Sequence, residues 1–156
     1  MKVLFLCTAN SCRSILCEAL FNHLAPAGLR AFSAGSQPKG FVHPLTLEAL
    51  ARAGVPGEGL ASKPSETHAD LQPDLVITVC DKAAGEACPV FFGPALKAHW
   101  GLADPSEVEG SDSEIAVAFD ATVARITART QAFLALPLDQ LDADALKAEL
   151  ARIASL

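Results

Sequence analysis

Short apolar runs alternate along this chain with longer stretches in which apolar residues recur every three or four positions. A short run of β-forming residues is typical of a strand buried in a parallel sheet, and the longer period is typical of an amphipathic helix. The pattern predicts strands at residues 3–6, 31–34, 75–79 and 98–100. It predicts helices at residues 14–21, 43–54, 115–136 and 141–156. This alternation predicts an α/β fold with a parallel, doubly wound sheet that binds ligands at the carboxyl ends of its strands.

The composition of the chain restricts its domain organisation and the classes of function it can have. A chain of 156 residues, of which 51% are hydrophobic, fits a single domain over residues 1–156. The net charge of −6 and the lack of a run of basic residues argue against a nucleic-acid surface. The apolar run after Lys2 is too short for a signal peptide, and no stretch approaches the roughly 20 apolar residues of a membrane span. We expect a cytoplasmic monomer whose five cysteines stay reduced unless they cycle through disulfides.

The connection between the first predicted strand and the first predicted helix carries the strongest chemical signal. Its sequence is Cys7-Thr8-Ala9-Asn10-Ser11-Cys12-Arg13, followed by Ser14. Backbone N–H groups that curl into a helix N-terminus form a concavity that prefers anions, and Arg13 can bind two oxygens of a tetrahedral oxyanion. The same positive field lowers the pKa of a thiol, so we expect Cys7 to be a thiolate nucleophile at neutral pH. Asn10 and Ser14 are suited to hydrogen-bonding the sulfur and the turn around it.

The spacing of Cys7 and Arg13 is weak evidence by itself, because a buried, inert cysteine in an ordinary turn could produce it. The strand before the loop, the helix after it and the serine after the arginine favour the oxyanion site. Of the remaining cysteines near the loop, Cys12 is expected to point away from the anion in a structural role. Cys17, one turn into the helix, is expected in the core.

A second group of cysteines follows the strongest of the later predicted strands. Cys80 ends that strand and Cys88 lies eight residues further on. Since parallel strands bring their carboxyl ends to one edge of a sheet, Cys80 is expected near Cys7. Three interpretations stay open: two buried free thiols, a zinc site with His99, or a redox pair that meets when the segment around Gly85 rearranges. Zinc sites favour closer cysteine pairs, so the redox pair is preferred.

Asp104 precedes Pro105, which biases its backbone toward an extended conformation. Asp-Pro is also a common way to open a turn. Beside Cys7 and Arg13, however, Asp104 becomes a candidate general acid that protonates the oxygen leaving the oxyanion.

Together, residues 7–14, Ser33-Ala34-Gly35 and Asp104-Pro105 resemble the low-molecular-weight protein tyrosine phosphatase superfamily. Thr78-Val79-Cys80-Asp81 and the later Cys88 are similar to its arsenate reductase branch. The resemblance spans essentially the whole chain. It implies a four-stranded parallel sheet flanked by helices in a Rossmann-like arrangement.

The resemblance also implies roles for individual residues. Cys7 would be the nucleophile, Arg13 the oxyanion ligand, Asp104 the acid, and Cys80 and Cys88 the second and third redox thiols. The oxyanion-binding set would comprise Thr8, Ala9, Asn10, Ser11, Cys12, Arg13 and Ser14. Asn10, Glu18 and Ser33 resemble positions that help bind potassium in some relatives, although a hydrogen-bonded support for the loop is an equal interpretation. No metal ligands are otherwise expected.

Two departures from the family pattern bear on the substrate. The chain contains no tyrosine, so the aromatic pair that follows Asp-Pro in many of these phosphatases is missing. The interval between Cys80 and Cys88 is slightly longer than in familiar reductases, which leaves the partner of Cys80 open.

Electron count separates the candidate activities. Cleavage of a phosphoester needs one thiol and water, whereas reduction of arsenate to arsenite needs two electrons, and hence a second thiol. A third thiol would restore Cys7 and carry the disulfide to thioredoxin or, alternatively, to glutaredoxin with glutathione. We expect arsenate as substrate, with phosphate or sulfate as analogues. A phosphatase and an anion-binding module without turnover are the alternatives.

Overall fold

The computed structural model describes residues 1–85 and 93–156. In these ranges the strands are β1 (Lys2–Leu6), β2 (Arg30–Ala34), β3 (Leu75–Thr78) and β4 (Leu96–His99). They form one sheet in the order β2–β1–β3–β4, and every neighbouring pair is parallel. The expected four-stranded parallel sheet is therefore confirmed.

The helices flank this sheet. They are α1 (Arg13–Leu24), α2 (Pro44–Arg52), α3 (Asp81–Ala84), α4 (Asp112–Leu134) and α5 (Ala143–Ile153). The start of α4 lies three residues before the predicted one because a capping box precedes the apolar face: Ser111 accepts from the backbone of Glu114, whose side chain accepts from Ser111. The single turn of α3 was not predicted, because four residues are too few to show a helical period.

The two faces of the sheet contribute to two apolar clusters. Val3, Phe5 and Ile77 join the larger cluster, which also contains buried side chains of α1, α2, α4 and α5. The intervening residues Leu4 and Val76 join a smaller cluster. This alternation follows from the two-residue period of a strand.

The position of β4 differs from the prediction. The strand spans Leu96–His99, not residues 98–100, and Trp100 follows its end with its side chain in the larger core. At this edge of the sheet, Lys97 and His99 are exposed and alternate with half-buried residues. A strand with polar residues at alternate positions has a weak apolar signal, which explains the shift.

Strand order decides where a site can form. All four strands run in the same direction, but β2 lies on one side of β1 and β3 on the other. The connections that leave β1 and β3 therefore lead to opposite sides of the sheet. Ligands in open α/β sheets bind at such a switch point, outside the carboxyl ends of the strands. Cys7 follows β1 and Cys80 follows β3 shortly after its end, so both lie at this point.

Candidate active site

The loop between β1 and α1 presents its carbonyl groups to the segment that follows β2. The carbonyls of Thr8, Ala9 and Ser11 accept hydrogen bonds from the backbone N–H groups of Gln37 (2.9 Å), Lys39 (3.0 Å) and His43 (2.9 Å). In a trans peptide the N–H group points away from the C=O group, so the N–H groups that follow these carbonyls face the opposite, inner side of the loop. The loop therefore has the backbone arrangement that binds anions. Sequence reasoning missed the supporting segment, which carries no motif.

Gly35 is required for this arrangement. A Cβ atom there would lie 2.4 Å from the carbonyl oxygen of Thr8 and 2.5 Å from that of Cys7. Only glycine permits such a close approach of two backbones. The glycine of the Ser33-Ala34-Gly35 motif is therefore needed for the segment after β2 to pack against the loop.

Asn10 fixes the middle of the loop. It is fully buried and adopts a left-handed backbone with φ of 44°. Its side-chain amide donates to Ser14 Oγ (2.8 Å) and Ser33 Oγ (3.0 Å) and accepts from the backbone of Lys63 (2.9 Å). The expected role of Asn10 in holding the turn fits these contacts.

The two expected redox thiols are in contact. Cys7 and Cys80 are both buried and hydrogen-bonded to each other. Thr8 Oγ1 lies 3.7 Å from Cys80 Sγ, and the backbone N–H of Ala83 donates to that sulfur at 3.4 Å. The carboxyl ends of β1 and β3 therefore bring the sulfurs together, as the sequence predicted.

The ionisation of Cys7 is coupled to that of Cys80, which the sequence did not indicate. The hydrogen bond to Cys80, and then burial, raise the pKa of Cys7 above its usual range, although the charge of Arg13 opposes this shift. The hydrogen bond from Cys7 is the main cause that lowers the pKa of Cys80 to about 5. Both shifts have the same hydrogen bond as their largest cause, so the two sulfurs compete for a single negative charge. A Cys7 thiolate at neutral pH stays a prediction, which the charge of Arg13 favours and the contact with Cys80 opposes.

Arg13 and Asp104 also lie together. One guanidinium nitrogen of Arg13 donates to the carbonyl of Leu102 (3.0 Å), and the other lies 3.5 Å from Asp104 Oδ2. The second carboxylate oxygen of Asp104 accepts from the backbone and the hydroxyl of Ser106, at 2.9 and 2.6 Å. These contacts orient both side chains, so a carboxyl group is available beside a guanidinium group that can bind an oxyanion.

The other two cysteines near the loop are separate from this chemistry. Burial raises the pKa of Cys12 to about 11, although a hydrogen bond with Thr46 of α2 opposes this shift. Burial likewise raises the pKa of Cys17, which lies in the larger core. Both remain thiols at neutral pH, as their expected structural roles require.

Cys88 lies outside the described residues, so its pairing with Cys80 stays a prediction. His99, the suggested zinc ligand, contacts Thr78 Oγ1 (2.8 Å) and Asp81 Oδ1 (3.2 Å) through its two ring nitrogens. Within residues 1–85 and 93–156, no group of three or more histidine, cysteine or acidic side chains could hold a metal.

The residues suggested for potassium do meet, but a lysine lies among them. Ser33 Oγ donates to Glu18 Oε1 and accepts from Asn10. Lys63 Nζ lies 3.5 Å from Glu18 Oε1 and 3.3 Å from Ser33 Oγ. A potassium ion does not fit beside an ammonium group bound to the same oxygens. Nothing in the turn-rich sequence before Pro64 indicated this position for Lys63.

Comparison with known proteins identifies the family. A model of the family described as low molecular weight phosphotyrosine protein phosphatase matches residues 2–149. The chain belongs to this family. Among curated members, it is similar to the arsenate reductase of Shouchella clausii, with 32% identity over 84% of this chain and 93% of that protein. It is 34% identical to the arsenate reductase of Staphylococcus xylosus, over 70% of this chain and 82% of that protein.

Solved structures of other proteins share this fold. An arsenate reductase from Archaeoglobus fulgidus has a TM-score of 0.71 and 24% identity, and the match covers 86% of this chain and 99% of that one. A thioredoxin-dependent arsenate reductase from Corynebacterium glutamicum has a TM-score of 0.59 and 32% identity. That match covers 83% of this chain and 61% of the other. Within the described ranges of this family member, no helix is long and apolar enough to cross a membrane.

Proposed function

We propose that this protein reduces arsenate to arsenite, with Cys7 as the nucleophile and Cys80 as the second thiol. The observation that carries the proposal is the contact between these two sulfurs at the anion-binding loop. One thiol would serve hydrolysis, whereas a second thiol in contact with the first provides the two electrons of a reduction. The curated relatives named arsenate reductase point the same way.

The first step is attack of the Cys7 sulfur on arsenic. Cys80 is hydrogen-bonded to Cys7, and a hydrogen-bonded base can take the proton of a nucleophile as it attacks. Arg13 and the inner N–H groups of the loop bind the arsenate oxygens. One oxygen leaves as water after receiving protons, with Asp104 as the donor from the protein.

The second step transfers the electrons. The proton that Cys80 took passes to the departing oxygen as the second proton of the water, and the Cys80 thiolate then attacks the Cys7 sulfur and forms the Cys7–Cys80 disulfide. The sulfur–arsenic bond breaks, and its electron pair leaves with arsenic as arsenite. The net change is one arsenate and two thiols to one arsenite, one disulfide and one water. Cys88 would then attack Cys80, restore the Cys7 thiol and leave a Cys80–Cys88 disulfide for an external reductant.

We propose thioredoxin as that reductant, because the similar protein from Corynebacterium glutamicum is a thioredoxin-dependent arsenate reductase. Glutaredoxin with glutathione is the alternative. A second candidate function is phosphoester hydrolysis, which is favoured by one observation: Cys7, Arg13 and Asp104 form a complete set for a cysteinyl-phosphate reaction.

One assay distinguishes these functions. The reduced protein is supplied with arsenate and either thioredoxin with its reductase or glutaredoxin with glutathione, and arsenite is quantified. We expect turnover with thioredoxin and none for Cys7→Ser. Cys17→Ala removes a buried thiol of α1 that the reaction does not use, and it should keep turnover. Rapid hydrolysis of an aryl phosphate without arsenite formation would favour the phosphatase, and anion binding without either reaction would favour a binding module.

A further inference from the structure

The ammonium group of Lys63 lies among three oxygen atoms beneath the anion-binding loop. The nearest is the carbonyl oxygen of Ala61 at 2.8 Å, followed by Ser33 Oγ at 3.3 Å and Glu18 Oε1 at 3.5 Å. An ammonium group has three N–H donors and no acceptor. Each donor therefore has an oxygen to meet, as a small cation would in a site of the same composition.

This position is connected to the loop by a short series of hydrogen bonds. Ser33 Oγ accepts from both Lys63 Nζ and Asn10 Nδ2 and donates to Glu18. The backbone N–H of Lys63 donates to Asn10 Oδ1 at 2.9 Å. Because Asn10 holds the left-handed turn of the loop, the ammonium group and the backbone of Lys63 support the loop from one side.

Charge balance gives the lysine a further role. The Glu18 side chain is 14% exposed and that of Lys63 is 18% exposed. A carboxylate with so little access to water needs a nearby cation. His68, which contacts the carbonyl of Ser33, does not supply it: burial, and then the charge of Lys63, lower its pKa and keep it neutral. In the described part of the chain, Lys63 is the ion-pair partner found for Glu18.

We propose that Lys63 is a covalently attached replacement for a monovalent cation, so that the loop is stable without potassium. A corollary follows from the same geometry. If the lysine side chain is removed, the Glu18 carboxylate, the Ser33 hydroxyl and the Ala61 carbonyl remain as an oxygen-lined space with a negative charge. Carbonyl and other oxygen ligands are those that potassium takes in proteins. The shortened variant should therefore acquire a potassium response that the natural protein lacks.

The test is the thermal unfolding of the reduced protein in potassium chloride and in choline chloride at the same ionic strength. We expect the natural protein to have the same Tm in both salts. Lys63→Ala should have a lower Tm in choline chloride and recover most of the loss as potassium is added, with a saturable dependence that reflects binding to the folded state. Lys147→Ala, which removes an exposed charge from α5, is the matched control and should show no such recovery.

A double variant tests the location of the response. Lys63→Ala with Glu18→Gln lacks the carboxylate and should lose the potassium response of the single variant. If Lys63→Ala does not fold in choline chloride, its refolding yield in the two salts replaces the Tm, and recovery only in potassium supports the proposal.

Four results would overturn the proposal. The first is a saturable rise in the Tm of the natural protein with potassium, and the second is a Lys63→Ala variant that recovers no better in potassium than in choline. The third is a double variant that responds to potassium as strongly as the single variant, and the fourth is a Lys63→Ala variant that refolds in neither salt.

These measurements contain no arsenate. A negative result in them therefore does not contradict the proposed reaction, and a negative result in the arsenate assay does not contradict the proposed role of Lys63.

Discussion

At the scale of single residues, the site depends on how two sulfurs divide one negative charge. The sequence marks Cys7 as the nucleophile, but its contact with Cys80 gives Cys80 the lower pKa. Two thiolates in contact would repel each other, so the pair loses one proton readily and resists loss of the second. The hydrogen bond between them therefore sets the ionisation of both.

This sharing can be measured from the ultraviolet absorbance of thiolate as a function of pH. In the natural protein a thiolate should appear as the pH rises through about 5, which is the lowered pKa of Cys80. In Cys7→Ala, which has no side-chain donor, the pKa of Cys80 should shift upward, because the hydrogen bond from Cys7 is the largest cause of its lowering. Cys12→Ala serves as the control and should leave the midpoint in place. An unchanged midpoint in Cys7→Ala would contradict the shared proton.

At the scale of elements, the neighbouring ends of β1 and β3 bring the first two thiols together without any movement. Cys80 also caps α3, where its sulfur accepts from the backbone of Ala83. Formation of a disulfide removes the negative charge from this cap and weakens a helix of a single turn, none of whose residues is buried. Oxidation of Cys80 would thus loosen the segment that leads toward Cys88.

The Cys88→Ser variant tests this order of events. We expect one round of arsenate reduction, since Cys7 and Cys80 are already in contact, followed by arrest as the Cys7–Cys80 disulfide. Thiol-labelling mass spectrometry after arsenate addition identifies the disulfide directly. Cys80→Ser is the paired comparison and should stop earlier, with arsenic retained on Cys7. Full repeated turnover of Cys88→Ser with thioredoxin as the only reductant would contradict the three-thiol relay.

The elements also show which features sequence patterns could predict. Strands β1 to β3 and the long helices were predicted to within a few residues because apolar periodicity records burial, whereas the partly polar β4 was misplaced. The nearness of Cys7 to Cys80 followed from the common edge of a parallel sheet. The position of Lys63 could not be predicted, because it depends on a turn that returns to β2 through the isolated bridge between Gly35 and Pro64. The ionisation of Cys80 could not be predicted either, since it depends on a contact between residues 73 positions apart in the chain.

At the scale of the whole molecule, Arg129 of α4 joins three parts of the chain. Its buried guanidinium group donates to the carbonyls of Trp100 (3.0 Å), Gly101 (3.2 Å), Ala154 (2.9 Å) and Leu156 (3.3 Å). These carbonyls belong to the segment after β4 and to the end of the chain after α5. Since the first segment leads to Leu102 and Asp104, this interaction also supports the loop that faces Arg13.

Replacement of Arg129 by methionine should therefore destabilise the fold as a whole. Loss of hydrogen bonds from a charged donor to buried carbonyls is expected to reduce the free energy of unfolding by about 3 kcal/mol. Chemical denaturation measures this loss. Arg125→Met, which removes an exposed side chain one turn earlier in α4, is the control and should change stability little. Equal stability of the two variants would show that the four carbonyls find other partners.

A sequence motif alone does not define an anion-binding loop of this kind. The seven residues from Cys7 to Arg13 supply the side chains, but the hydrogen bonds that orient their peptide groups come from residues 37, 39 and 43. The information that makes the loop receptive to an anion is thus distributed over two segments, one of which has no distinctive residue types. Two proteins with identical motifs can consequently differ in anion affinity if the second segment differs.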